Sequence, residues 1–174
     1  MNPDPTYLIR LAQREDLPKL PAVEQAAGVL FRGTAEDWIA DDGGHGLEAF
    51  ELWHRAGKIW VALTPDGTIV GFAAVGTVDR QAYLHELDVH PAHGRHGLGR
   101  RLIEAVCAEA QAAGQTALRL ATFRDIAWNA PYYARLGFRE LTEAEIGPEL
   151  AIEQRAEAEA GLDLTRRVMM ERRW

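Results

Sequence analysis

The sequence predicts an α/β domain with a mixed sheet, and three observations carry that prediction. Runs with the two-residue period of a strand are interspersed with runs of helical period, in the order strand, helices, three strands, helix, strand, helix, strand, helix, strand. A Pro65-Asp66-Gly67 turn joins two of the strand runs. A glycine-rich loop separates the next strand run from an amphipathic helix. The 174 residues fit a single domain, 1–174, long enough to bury a sizeable core.

In chain order, residues 7–12 read as a short strand. Asp16 is expected to cap a helix whose apolar positions are Leu20, Val23, Ala27 and Leu30. Pro18 suits the first turn of that helix; Pro21 does not, and implies a later start or a bend. Thr34 to Asp37 has the spacing of a capping box opening a second short helix, and 41–46 reads as a loop. A helix over 47–56 should end at Gly57. Strands follow over 58–64 and 68–78, and then over 83–89. In the last of these, alternation puts Tyr83, His85, Leu87 and Val89 on one face and Leu84, Glu86 and Asp88 on the other. A helix over 97–113 carries the stripe Leu98, Leu102, Val106, Ala110 and Ala113, and Gly114 ends it. A strand over 116–122, a helix over 130–136 capped by Gly137, a strand over 138–141, a helix over 149–160 and a strand over 165–172 complete the order.

Composition excludes several function classes. The net charge is −7 and the isoelectric point about 5.4, which disfavours binding to a phosphate backbone. The single cysteine, Cys107, forbids an internal disulfide and fits a reducing cytoplasm. The first residues lack the basic and apolar regions of a signal peptide, and no apolar run reaches the roughly 20 residues that span a bilayer. No nucleic-acid or membrane partner is therefore expected.

The loop from Val89 to Leu102 points to an anion. Glycines allow sharp turns and close approach of backbone to ligand, and the first turn of the following helix offers N–H groups with a favourable dipole. Arg95, Arg100 and Arg101 add positive charge, so a pyrophosphate is the natural guest. The run is not a Walker A loop, since no Gly-Lys-Ser/Thr is present. Nor is it a dinucleotide fingerprint, because the third glycine after Gly97-Leu98-Gly99 is missing. Downstream, Trp128-Asn-Ala-Pro-Tyr-Tyr-Ala-Arg-Leu-Gly-Phe138 places a tyrosine pair on a short helix.

Together these segments resemble the GNAT superfamily of N-acetyltransferases. Leu87-x-Val89-x-Pro91, five residues, then Gly97-x-Gly99 and a helix is similar to the family's motif A; Tyr133 to Phe138 is similar to its motif B. One departure is Gly94, where the family favours Arg or Gln, with Arg95 next. The resemblance implies a mostly antiparallel central sheet flanked by helices, and acetyl-coenzyme A as cosubstrate with no metal. It implies coenzyme contacts from Leu87, Asp88, Val89, Arg95, His96, Gly97, Leu98, Gly99 and Arg100. Tyr133 falls on the position of the general acid, where a phenol of pKa about 10 can serve a departing thiolate of pKa about 8.5. Asn129 either contacts the coenzyme or caps its helix.

An alkyl ammonium near pKa 10.4 must lose a proton before it attacks, and Glu86 is the candidate base, with Asp88 in reserve. The backbone of Leu87 to Val89 would donate to the acetyl oxygen. Glu36, Asp37, Asp41 and Asp42, with Trp38, Trp53 and Trp60, suggest an acidic, aromatic surface for a cationic amine. The activity implied is direct transfer of acetyl to a primary amine of an unidentified acceptor, a small molecule or a peptide. A protein or peptide acceptor and a non-catalytic coenzyme A sensor are the alternatives, and a homodimer is an expectation of the family. His90, His93 and His96 are read as loop histidines rather than metal ligands, and Cys107 as a buried thiol.

Overall fold

A computed structural model describes residues 7–174. Its sheet has seven strands: β1 (Leu8–Leu11), β2 (Lys58–Leu63), β3 (Ile69–Val78), β4 (Gln81–Val89), β5 (Ala117–Phe123), β6 (Arg139–Glu140) and β7 (Arg167–Arg173). Their order across the sheet is β1-β2-β3-β4-β5-β7-β6. The sheet is mostly antiparallel, as expected, and β4 runs parallel to β5 through the register Ala82↔Leu118, Tyr83↔Arg119 and Leu84↔Leu120. A parallel pair needs a crossover. Here it is the helix α3 (Leu98–Ala112), following α1 (Leu20–Gly28) and α2 (Gly46–Ala56) and preceding α4 (Ala130–Arg135) and α5 (Pro148–Glu159).

The described residues pack as two compact units, 7–76 with 85–108, and 77–84 with 109–174. In the first, Leu17, Leu20 and Val23 join Phe50 of α2 and Ile59, Val61, Leu63, Phe72 and Ala74 of the sheet in one apolar core. Phe50 meets Trp53 and Phe72 edge to face, at 5.5 and 5.2 Å between ring centroids. In the second, Val78, Tyr83, Leu141, Leu150 and Met169 form a separate core. The β3–β4 turn, Asp79-Arg80, has positive φ at both residues, the geometry of a two-residue hairpin. Asp79 accepts from the backbone N–H groups of Glu149 and Leu150, and so caps α5 from outside the helix.

Several local expectations need correction. The segment before α1 is a 3-10 turn, Arg14–Lys19, capped by Gln13; Asp16 is its third residue, accepting from the Gln13 N–H at 2.8 Å and pairing with Arg10. The α-helix starts at Leu20, the later start that Pro21 implies, and Pro21 falls in its first turn, where a missing N–H is harmless. It stops at Gly28, leaving Leu30 exposed, and the apolar stripe of α3 ends at Ala110, with Ala113 exposed. Thr34 to Asp37 is not a capping box: the second short helix is a 3-10 turn, Asp37–Asp41, with Glu36 at its cap and no side-chain capping bond. Cys107 is buried.

Candidate active site

The glycine-rich loop follows β4 through a short 3-10 turn, Pro91–His93, and enters α3 at Leu98. Arg95 and Gly97 both have positive φ, 64° and 73°, with His96 between them outside that region. Alternating handedness turns successive N–H groups toward one side and forms a concave anion nest. Gly97 suits its left-handed backbone because it has no Cβ, whereas Arg95 holds the same conformation at a cost. The N-terminal turn of a fifteen-residue helix then adds N–H groups with no partner inside the helix, and a partial positive charge. This is a fit for a pyrophosphate held by backbone.

Side chains divide the loop further. Arg95, His96 and Arg100 are exposed, and so is the backbone at Gly97; Gly99 is half-buried. Leu98 is 2% exposed, so only its amide can serve a ligand. Arg101 donates to the Tyr7 carbonyl at 2.7 Å and is thereby committed to the fold. Tyr7 also bonds its hydroxyl to His93 Nδ1 at 2.9 Å and packs on the His96 ring, and His90 accepts from the Ala92 N–H. These contacts give two of the loop histidines, His90 and His93, structural partners.

Leu87, Asp88 and Val89 end β4, half-buried. Glu86 precedes them and belongs to a cluster that sequence reasoning did not foresee. Glu24, on α1, is 8% exposed. Its carboxylate accepts from the His45 N–H at 3.0 Å and bonds His45 Nδ1 at 2.5 Å. The same Nδ1 lies 3.9 Å from Glu86 Oε2. One atom from each of the three residues falls within 4.8 Å of the others. Gly44 makes room for this arrangement, since a Cβ there would stand 2.5 Å from Glu24 Oε2. His45 packs on Trp53, which stacks on His85 at 5.6 Å and 10°.

The charges in this cluster perturb one another. The bond to Glu24 raises the His45 pKa, against burial and with help from the negative charges of Glu86, Glu24 and Asp42. Burial, then the nearby His45, pushes His85 down to about 4. Desolvation, then repulsion from Glu86 and Glu24, lifts Asp88 well above the carboxylate range. Carboxylates crowded together with one imidazole form a place that favours a cation.

The acids expected to make the acceptor surface are largely spent. Arg32 holds Asp41 bidentately at 2.6 and 2.5 Å and reaches Asp37 at 3.6 Å. Glu36 accepts from the Trp38 indole, and Asp42 from the Gly44 N–H. Trp53 is joined to the cluster around Glu86 through the His45 ring. Glu24 did leave a trace in the sequence: 20, 23, 24 and 27 are the positions of one helix face, and a glutamate stands among its apolar residues.

In the second unit, Tyr133 lies on α4, 9% exposed, with its ring edge to face with Phe138 and Tyr132 at 5.5 Å each. Gly137, at φ 89°, turns the chain so that the Phe138 N–H returns to the Tyr133 carbonyl. Asn129 occupies the cap position of α4, but its side chain makes no capping bond and accepts instead from the Thr122 hydroxyl at 2.7 Å. The capping reading therefore holds for position and fails for the side chain.

Residues 29–138 match the family model described as the acetyltransferase (GNAT) family. Solved structures share the fold. An acetyltransferase of the GNAT family from Staphylococcus aureus Mu50 superposes with a TM-score of 0.71 at 17% identity, over 96% of this chain and 98% of that one. The PaiA N-acetyltransferase of Thermoplasma acidophilum, in complex with coenzyme A, gives 0.68 at 19%, over 97% and 99%. The ribosomal-protein-S18-alanine N-acetyltransferase of Escherichia coli gives 0.68 at 21%, over 96% and 93%. No helix among the described residues is long and apolar enough to cross a membrane.

Proposed function

Because this chain belongs to the GNAT acetyltransferase family, we propose that residues 1–174 form one transferase domain, which moves an acetyl group from acetyl-coenzyme A to a primary amine by direct transfer. The observation that carries the reading is the nest at Arg95 and Gly97 feeding the first turn of α3. The amides of Arg95 to Arg100 would hold the pyrophosphate, and the exposed Arg95 and Arg100 side chains would add charge. Leu87 to Val89 would line the pantetheine arm and offer backbone donors to the acetyl oxygen. Acetyl-coenzyme A, when bound, supplies the activated thioester.

The acceptor's ammonium would be drawn by the carboxylates of Glu24 and Glu86. Glu86 takes its proton at a carboxylate oxygen, directly or through water, so that a neutral amine attacks. Tyr133 gives its phenolic proton to the departing sulfur; the motif and its fixed, buried ring support this role. Asn129 is proposed as a further coenzyme contact on the strength of the motif alone. The acidic lining supports a cationic acceptor.

The test is coenzyme A release across polyamines, aminoglycosides, amino acids and short peptides, with the product confirmed by mass. Turnover on one class, lowered in Tyr133→Phe far more than coenzyme affinity, is the expected result. Equal losses in both would count against the tyrosine. Gly97→Asp should abolish coenzyme binding, because it puts a carboxylate into the nest on a backbone of positive φ; retained affinity would remove the loop from the site. Turnover on peptides alone would identify a protein acceptor. Tight coenzyme binding with silence across the panel would favour a sensor.

A further inference from the structure

Glu24 and His45 contribute to none of the expected coenzyme contacts, yet the fold brings them together across 21 residues and fixes them next to Glu86. Glu24 is a buried acid in a helix face that is otherwise apolar, a costly placement without a partner. Its two oxygens grip the imidazole and the backbone of one residue, so the ring has little freedom to turn. Trp53 closes another side of the ring at 4.9 Å, and the His45 side chain is still 47% exposed, open to exchange its proton with solvent.

We propose that His45, anchored by Glu24, is a positioning residue for Glu86: its imidazolium holds the Glu86 carboxylate in place and in its ionised form for taking the acceptor's proton. The inference rests on the reading of Glu86 as the base. The groups that face His45 are Glu24 from α1, Asp42 from the loop before α2, and Glu86 and His85 from β4. Three of these four are acids, and the fourth, His85, is neutral at pH 7 with its pKa near 4. The pair of histidines is thus split, with one held toward the cation and one held neutral, an arrangement seen where environments assign separate acid–base duties. The proton inventory is simple. Glu86 gains the proton that the ammonium loses and returns it to water, while His45 stays charged throughout.

Two measurements test this. The first is an imidazole titration by nitrogen-proton NMR in wild type, Glu24→Gln and Glu86→Gln, which needs neither coenzyme nor acceptor. Removing either acid should move the His45 titration to lower pH, since both raise its pKa; a His45 titration unmoved by Glu86→Gln overturns the coupling. The second is the pH profile of kcat/KM for His45→Gln on an amine that wild type turns over. A unit charge 3.9 Å away, in a setting close to water, is worth about a fivefold change, so the loss should be about fivefold at the acid end. It should shrink as pH rises and wild-type His45 gives up its proton. A loss of equal size at every pH would mean that Glu24 and His45 only cap α2, and would overturn the proposal. The failures are separable: if wild type turns over no amine, the transferase reading falls, whereas turnover with a parallel His45→Gln profile removes the positioning role alone.

Discussion

Two buried carboxylates, one in each compact unit, are handled in opposite ways. Glu171 on β7 is fully buried, and Arg119, Arg139 and Arg173 reach it at 2.8, 3.1 and 2.6 Å. Burial raises its pKa, but the hydrogen bonds from Arg173 and Arg119 overcome that and leave it below its ordinary value. Glu24 is also buried, and it bonds both the backbone and the ring of His45, whose Nδ1 also lies 3.9 Å from Glu86, while Asp88 stands near both acids. Around Glu171 the charges balance, because Arg139 also pairs with Glu145 and Arg119 lies 3.9 Å from Asp79; in the second region the acids Glu24, Glu86 and Asp42 all act on one imidazole. A fold that needs only stability balances a buried charge, as at Glu171. A surplus of acids around one imidazole makes sense where a cation arrives from outside.

The largest effect that could break this comparison is Glu86→Gln. If the surplus serves catalysis, kcat should fall by about a hundredfold or more, the usual range for a lost general base. A melting curve of the same variant separates a catalytic loss from a folding one. A mutant with wild-type turnover would leave the cluster without a catalytic purpose, and Asp88 would be tested next.

Glu171→Gln should behave in the reverse way. Removing one partner of a buried charge network costs about 3–5 kcal/mol, and the lower end applies here because Arg139 and Arg173 are half exposed and can turn to solvent. Chemical denaturation would read this as a lower midpoint, with coenzyme affinity unchanged in the protein that remains folded. A stability loss under 1 kcal/mol would erase the contrast, since the arginines would then be ordinary surface pairs.

How much of this was legible in the sequence follows from the range of each interaction. The strands, α3 and the glycine loop were readable because they rest on local periods and on backbone that glycine relieves, as at Gly97. The positive φ of Arg95 was not, since nothing in an arginine announces a left-handed backbone. The short helices were misread where a 3-10 turn stood in for an α-helix, because capping spacing is shared by both. Glu86 is proposed from its place on the strand before the loop. Glu24 and His45 were missed because they meet through tertiary contact, and two of the acids expected at the acceptor surface, Asp37 and Asp41, pair with Arg32 instead.

The smallest expected effect is the sharpest in sign. Asp88 has its carboxyl pKa raised by desolvation and by Glu86 and Glu24, so the folded protein binds a proton there more tightly than the unfolded chain does. Stability contributed by this group is then present at low pH and is lost as pH rises from the unfolded pKa, about 3.9, through the higher folded one. Asp88→Asn cannot ionise and escapes that loss. Its melting temperature should exceed that of wild type at pH 8, and the gap should close as pH falls toward 4. Glu171 should give the opposite pH dependence, because its folded pKa is lowered: its contribution is present above the ordinary glutamate pKa and is lost as pH falls through the folded one. Melting curves of Asp88→Asn and Glu171→Gln across the same pH series would therefore diverge from wild type in opposite directions at pH 8. If both were destabilised there, Asp88 would have to be satisfied by a cation or hydrogen bond in solution, and the surplus of negative charge around Glu86 would be smaller than its geometry implies.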